Sequence, residues 1–513
     1  MVIFQQIQYD EMLLNPFLPL LISLLLVYFA TKWIYKPCGN KRLPPSPPKL
    51  PILGNLHQLS ALTHRSLQWL GRKYGPVLLL HFGSKPVFIV QSADAAMQIM
   101  KINDLMFADK PISRTIDKLF FNSKDIIVAP YGEYWRKMKS MCVLQLLNAK
   151  RVQSFHSIRE EETSLLMERI KSSTLSCSPL NLSELFLSLT SNVICRSAFG
   201  RKYTDVKFGD KFPMLLKELL QLSGSLRIGE FIPYLTWFDR VSGFDAKVDR
   251  VAKEFDEFLE IIIQEHMNTG QENGDSEEKC RENFLDILLK IYKENVTGFP
   301  IDKNNMKGVL LDILSGGTDT ISATLEWAMT ELIRHPAILK KLQMEVREIL
   351  KGKQDITHSD LEKMSYLNAV IKETLRHHIP VPFIARVARD NIKIMGYDIA
   401  IGTMVLINAW AIGRDPASWI EPEKFIPERF LNSSVDFKGH DFGLIPFGAG
   451  RRRCPGVAFA MASVELVLAN LVQKFDWYLP DGSRGEELDV LEHPGISIHR
   501  KNPIFAMATH CYF

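Results

Sequence analysis

The sequence predicts a mainly α-helical protein with a smaller β part, built as one large domain behind an N-terminal membrane helix. Three observations predict it. An uncharged apolar run opens the chain, helical periodicity fills long stretches of its body, and strand signals are few and short.

The apolar run is Leu13–Ala30, LLNPFLPLLISLLLVYFA, eighteen residues without a charge, just long enough to cross a bilayer core as a helix. Asp10 and Glu11 precede it, and Lys32, Lys36, Lys41 and Arg42 follow. That asymmetry makes residues 1–12 a lumenal tail and 13–31 the anchor, and it leaves the rest in the cytosol. A cleaved signal peptide or a core helix fits less well, because no basic stretch precedes the run and no small-x-small cleavage site ends it. Residues 32–55 form a basic, proline-rich hinge. Its prolines at 44, 45, 47 and 48 favour a polyproline II spacer outside any helix or sheet.

From residue 56 to 513 there is no second linker, repeat or low-complexity run, so one cytosolic domain is the simplest account. Helical periodicity marks 248–267, 325–350 and 459–475. Strand signals mark 76–83, 85–92 and 404–412. The polar segment 268–283 reads as a mobile surface loop.

Composition excludes two classes. At 46% hydrophobic the chain is not disordered, and a net charge of only +4 with mixed signs does not suit a nucleic-acid binder. The seven cysteines are scattered and never spaced as C-x-x-C, which argues against a disulfide framework or a cysteine-based zinc site. In a cytosolic domain the sequons at Asn181, Asn295 and Asn432 are silent.

One cysteine has an unusual setting: Phe447–Gly456, FGAGRRRCPG. Pro455 fits the first position of a helix, which puts Cys454 at a helix N-terminus where free N–H groups favour a thiolate. Gly448 and Gly450 permit close approach to something flat, and Arg452 adds fixed charge. The cysteine can be a nucleophile, a buried structural thiol or a metal-binding thiolate. A nucleophile wants a histidine partner, and none is evident nearby.

Phe447, Gly450, Arg452, Cys454 and Gly456 match F-x-x-G-x-R-x-C-x-G, so the chain resembles the cytochromes P450. KETLR (372–376) matches the family's E-x-x-R through Glu373 and Arg376, and PERF (427–430) supplies Arg429. SGGTDTIS (315–322) is similar to its oxygen-activating helix segment. The hinge and PYGEYWRKMK (130–139) resemble plant endoplasmic-reticulum members, and the likeness spans essentially the whole chain.

The resemblance implies the cytochrome P450 fold, a haem b whose iron is bound by Cys454, and a structural triad of Glu373, Arg376 and Arg429. It implies haem-propionate partners among Trp135, Lys139, Arg386 and Arg452. It also implies proton delivery by Asp319 and Thr320, with Gly316 and Gly317 letting the helix open where dioxygen sits. Substrate-facing candidates fall in 112–128, 311–320, 381–384 and 494–496, with Phe120, Phe121, Gly316, Val381, Phe383, Ile384 and Ile496 foremost. The chain departs from common family patterns at Ile321, at Lys139 in place of arginine, at Arg453 beside the cysteine, and at His377 and Ile379 in place of leucine and proline. The segment 377–386 is expected to border the substrate.

The implied activity is insertion of one oxygen atom from dioxygen into a small apolar plant metabolite, foremost a terpenoid, with a coumarin, phenylpropanoid or alkaloid as the alternative. Electrons would come from NADPH through a cytochrome P450 reductase docking on bases such as Lys137, Lys139 and the arginines beside Cys454. Membrane lipid is the other partner, and nucleic acid is not one. A haem-thiolate isomerase or dehydratase, a non-catalytic haem-binding membrane protein, and a non-haem cysteine enzyme are the rival readings.

Overall fold

The structure is a computed structural model and describes residues 19–29, 42–176, 178–202, 204, 211–225, 227–272, 282–294, 301–353 and 355–511. Along the chain, the elements that position the site are the strands β1 (Val77–Phe82) and β2 (Lys85–Val90), then the helices α1 (Glu133–Met141), α2 (Leu182–Phe199) and α3 (Phe244–Glu272). Next come α4 (Lys303–Arg334), α5 (Pro336–Leu350) and α6 (Ser365–His377), the strands β3 (Phe383–Val387) and β4 (Met404–Asn408), the helix α7 (Val457–Lys474), and the short strand β5 (His499–Arg500).

The helix α4 is the axis of the molecule. Asp302 caps it, its side chain accepting from Asn305 N while Asn305 bonds back to Asp302 N, which satisfies two otherwise free N–H groups. Most of α4 is buried, and α2, α6 and α7 pack against it around one large apolar core. It ends at His335 because Pro336 follows, and a residue before proline is driven out of the helical region, here to φ −123°, ψ 76°. The periodic stretch 325–350 is therefore two helices rather than one.

The β part is a four-stranded sheet in the order β1-β2-β4-β3. Its hairpin aligns Val77 with Val90, β2 runs parallel to β4, and β3 closes it antiparallel with Phe383 opposite Asn408. Gly83 turns the hairpin at φ +56°, where an added Cβ would meet the Phe231 carbonyl oxygen at 2.0 Å. The stretch 404–412 is strand only to Asn408, whose side chain caps the helical turn Ala409–Ile412 by accepting from Ala411 N.

Two other expectations change. The helix α3 continues to Glu272, into the segment expected to be a loop, and residues 273–281 lie outside the described residues. The proline-rich stretch is not a free spacer, because the Pro45 carbonyl accepts from Leu79 N on β1 at 2.9 Å and Asn55 donates to the Pro47 and Pro48 carbonyls at 3.3 Å.

Of the expected anchor, the described part Pro19–Phe29 is an apolar helix whose residues are all exposed, and the remainder lies outside the described residues. Among the described residues one helix, α7, is long and apolar enough to cross a membrane, but two thirds of it is buried in the core.

Candidate functional site

An internal cavity of about 340 Å³ lies between α4 and the loop that precedes α7. The sulfur of Cys454 opens onto it. The loop holds the cysteine by a bond from Cys454 N to the Phe447 carbonyl, 3.0 Å, and Gly448 and Gly450 bend it at φ +67° and +69°. At Gly450 the bend is obligatory, since a Cβ would strike the Met100 carbonyl oxygen at 2.2 Å. The helix α7 starts at Val457 with Gly456 as its N-cap, so Pro455 precedes the helix instead of opening it. Burial pushes the Cys454 thiol up, and the Gly456 N–H, Lys139, Arg453 and Lys110 pull against that shift.

Around the sulfur the wall is strongly cationic. Lys110, Lys139, Arg386, Arg452 and Arg453 line it. Arg452 is buried, donating from Nε to the Ala108 carbonyl at 2.7 Å and from Nη2 to the Ala129 carbonyl at 2.5 Å, while its Nη1 has no partner among the described residues. Arg386 bonds only its neighbouring Ala385 carbonyl, 2.9 Å, among the described residues. Burial, with Arg386 and Arg452 nearby, pushes the Lys110 amine down to about 7. None of Lys110, Arg386 and Arg452 has a carboxylate partner among the described residues. Buried cations without anions cost several kcal/mol, roughly, so the wall is built for an anionic group. A planar apolar group with carboxylates and a sulfur-ligated metal fits it, and Ile126, Leu375, Phe447, Phe459 and Val464 supply apolar lining.

Two predicted propionate partners are placed differently. Trp135 lines the cavity, but its N–H donates to the Ile126 carbonyl at 2.9 Å, and its ring lies under the Arg452 guanidinium at 4.1 Å. It positions a cation instead of binding an anion. Lys139 donates to the Arg451 carbonyl and, at 3.0 Å, to the Arg453 carbonyl, which ties α1 to the cysteine loop. At the surface of this end Lys137 pairs with Glu133 and Arg451 with Asp104. Arg453 reaches towards the Phe437 carbonyl, 3.5 Å away, with Nε buried and unpartnered among the described residues.

On α4, Gly316 faces the cavity, and a Cβ added there would meet nothing within 4 Å, whereas a Cβ at Gly317 would meet Ile194 of α2 at 2.4 Å. Gly317 is thus a packing glycine, and α4 is continuous through both. Thr320 lines the cavity and donates to the Gly316 carbonyl at 2.7 Å. Asp319 does not reach the cavity wall. Its carboxylate accepts from His499 Nε2 of β5 at 2.9 Å, while His499 Nδ1 lies 3.4 Å from Glu326. Despite burial, these carboxylates raise His499 to about 10, and His499 holds Asp319 below its ordinary value.

Of the substrate candidates, Gly316, Val381, Phe383 and Ile384 line the cavity. Phe120 and Phe121 pack into the main core, and Ile496 sits at the surface beside Gly224. Of the segment 377–386, Pro380, Val381, Phe383, Ile384 and Arg386 line the cavity, whereas His377 and His378 turn to the other side of α6.

A carboxyl pair that no sequence motif marks shapes the opposite wall. Asp312 accepts from Ile126 N at 2.7 Å and Ile127 N at 3.3 Å; Asp125 accepts from Val128 N at 3.0 Å and Ala129 N at 3.1 Å. Burial raises both, Asp312 further because Asp125 is beside it.

Behind the site, Glu373 is gripped by Arg376 through two bonds, 2.7 and 2.8 Å, and by Arg429 at 3.1 Å. Arg376 also donates to the carbonyls of Gly413, Pro422 and Lys424. The first two side chains are fully buried, so this is a cross-link between α6 and the loop before α7, not a solvated surface pair.

The model of the cytochrome P450 family matches residues 44–507. Cytochrome P450 71A8 of Mentha piperita is 53% identical over 493 residues, covering 95% of each chain. Psoralen synthase of Pastinaca sativa is 48% identical over 488 residues, covering 95% of this chain and 100% of its own. Tabersonine/lochnericine 19-hydroxylase of Catharanthus roseus is 48% identical over 493 residues, covering 95% and 97%. A solved zebrafish cytochrome P450 with progesterone superposes with a TM-score of 0.73 at 24% identity, covering 87% and 99%, which speaks to the fold.

Proposed function

The chain belongs to the cytochrome P450 family, and within it we propose that Cys454 ligates the haem iron of a monooxygenase acting on a small apolar terpenoid. Haem, dioxygen, a small organic substrate and a redox partner belong to the family, and the relatives place the chemistry in plant specialised metabolism. The observation that carries the reading is the Cys454 sulfur opening onto an apolar cavity walled by buried, unpaired cations.

When bound, haem supplies dioxygen activation, and a thiolate ligand favours O–O cleavage. The residues of the chain do the rest. Arg452, Arg386 and Lys110 would hold the two propionates, Arg452 being fixed by two carbonyls and an indole ring. The Gly456 N–H, Lys139, Arg453 and Lys110 favour the Cys454 thiolate against its burial, the form that would bind the iron. Thr320 commits its hydroxyl hydrogen to the Gly316 carbonyl, leaving its oxygen lone pairs to order a water in the cavity. Asp319 is held by half-buried His499 outside the cavity wall, so it would reach that water only on release from His499.

Apolar residues of the cavity lining, Ile127, Ile313, Val381, Phe383 and Ile384, suit an alicyclic substrate without charge. A coumarin or an alkaloid is the second reading, favoured by the relatives named for psoralen and for tabersonine and lochnericine. The isomerase reading is disfavoured by the presence of Asp319 and Thr320. Residues 13–31 anchor the protein in the endoplasmic reticulum membrane with residues 32–513 cytosolic, a reading supported by the exposed apolar helix Pro19–Phe29. The electron donor is NADPH–cytochrome P450 reductase.

The test is a panel of terpenoids, coumarins and alkaloids with reductase, NADPH and ¹⁸O₂. One labelled oxygen in a terpenoid product supports the reading. Label only in coumarin or alkaloid products replaces the substrate class, and an isomer formed without NADPH overturns the reaction.

A further inference from the structure

Two adjacent histidines at the end of α6 take no part in the cavity. They turn towards α4, where Glu331 is buried. His378 Nε2 lies 2.6 Å from Glu331 Oε1, and His377 Nδ1 lies 3.1 Å from His378 Nε2 and 3.8 Å from the same carboxylate oxygen. Three donor atoms from two helices thus converge on one point. A point about 2.05 Å from all three, the length of Zn–N and Zn–O bonds, lies about 0.7 Å off their plane, and the 2.6 Å between His378 and Glu331 would widen towards about 3.3 Å in a tetrahedral site.

Hydrogen bonding alone leaves this cluster poorly satisfied. His377 Nε2 is 3.2 Å from the Glu423 carbonyl, which can only accept, so that nitrogen carries the proton of the neutral ring. Its Nδ1 therefore presents a lone pair to the cluster. His378 Nε2 has one hydrogen at most to divide between a carboxylate and that lone pair, while its Nδ1 is buried without a partner among the described residues. A cation gives all three atoms a bond at once.

Neighbouring groups fix the three ligand atoms, although Arg334 also lies 3.7 Å from the second Glu331 oxygen. The Glu423 carbonyl orients His377 through its far nitrogen, as outer partners of ligating histidines do. Trp327 stacks on His378 at 4.0 Å and 7°, fixing that ring. His335 Nδ1 lies 3.2 Å from the other oxygen of Glu331 and steadies the carboxylate. The side chains of His335 and His377 are 37% and 13% exposed, which leaves an approach from solvent. Two imidazoles and one carboxylate with a fourth position open is a ligand set suited to zinc.

We propose that Glu331, His377 and His378 form a zinc site that clamps α6 to α4 on the side away from the haem cavity. The site depends on His377, where the family commonly carries leucine, so H377L is a variant the fold should accept. Purified holoenzyme, passed through chelating resin, is titrated with zinc sulfate by calorimetry, followed by zinc K-edge absorption. The expected result is one zinc per chain with nitrogen and oxygen neighbours at about 2.0–2.1 Å, and binding weakened by about a hundredfold in H377L. The reduced carbon monoxide spectrum of H377L should match that of the parent, showing an intact haem centre; H377N serves if H377L does not fold. Absence of zinc binding in the parent, or equal binding in the variant, overturns the proposal.

Discussion

Arg452 is held between two carbonyls and an indole ring with one nitrogen left over, an arrangement that depends on a planar, forked cation. Replacing it with leucine should lower the haem-to-protein ratio several-fold, and lysine should recover part of it, since charge returns without the fork; a pyridine haemochrome assay reads both. His499 gives a pH prediction. Its folded value is raised to about 10 by Asp319 and Glu326, so its stabilising contribution is complete below its ordinary value near 6.5 and is lost as pH rises towards 10. The difference in Tm between the parent and H499N should be largest at about pH 6 and should close by about pH 10; a constant difference contradicts the assignment. At this scale the legible residues were those in contiguous motifs, such as Cys454, Thr320 and the Glu373–Arg376 pair. Lys110, His499 and the Asp125–Asp312 pair were not, because each acquires its role from partners far along the chain, 180 residues in the case of His499 and Asp319. Phe120 was misplaced for the same reason: residue type says nothing of which way a ring turns.

At the scale of elements, α4 is both the axis of packing and one wall of the site, and two small contacts hold it there. Gly317 lets α2 approach, so G317V should push Ile194 away and cost about 1–3 kcal/mol in denaturant unfolding. Pairing it with I194A should recover part of the loss, whereas no coupling between the two would contradict the contact. The buried Glu373–Arg376–Arg429 cluster ties α6 to the loop before α7. E373Q leaves two buried guanidinium groups short of an anion and should cost about 3–5 kcal/mol, read as a fall in the unfolding midpoint. Helices were legible through periodicity, and their ends were not. Pro336 divides 325–350, and Asn408 converts the end of a strand into a helical turn. These breaks are set by single residues that a periodic signal averages away.

Over the whole molecule, the sheet and the helical core enclose the cavity while the proline-rich stretch docks on β1, fixing the direction in which the chain leaves the domain. Deleting residues 2–31 should release the protein from microsomal membranes while preserving its fold, as judged by circular dichroism. The fold class was legible because helix predominates and the cysteine motif is long and specific. The cavity wall was less so, being assembled from segments that lie hundreds of residues apart. The most direct measurement is the carbon monoxide difference spectrum of the reduced protein. The parent should show the red-shifted Soret band of a thiolate-ligated haem, and C454A should lose it. Persistence of that band in C454A would contradict the assignment of Cys454 as the iron ligand.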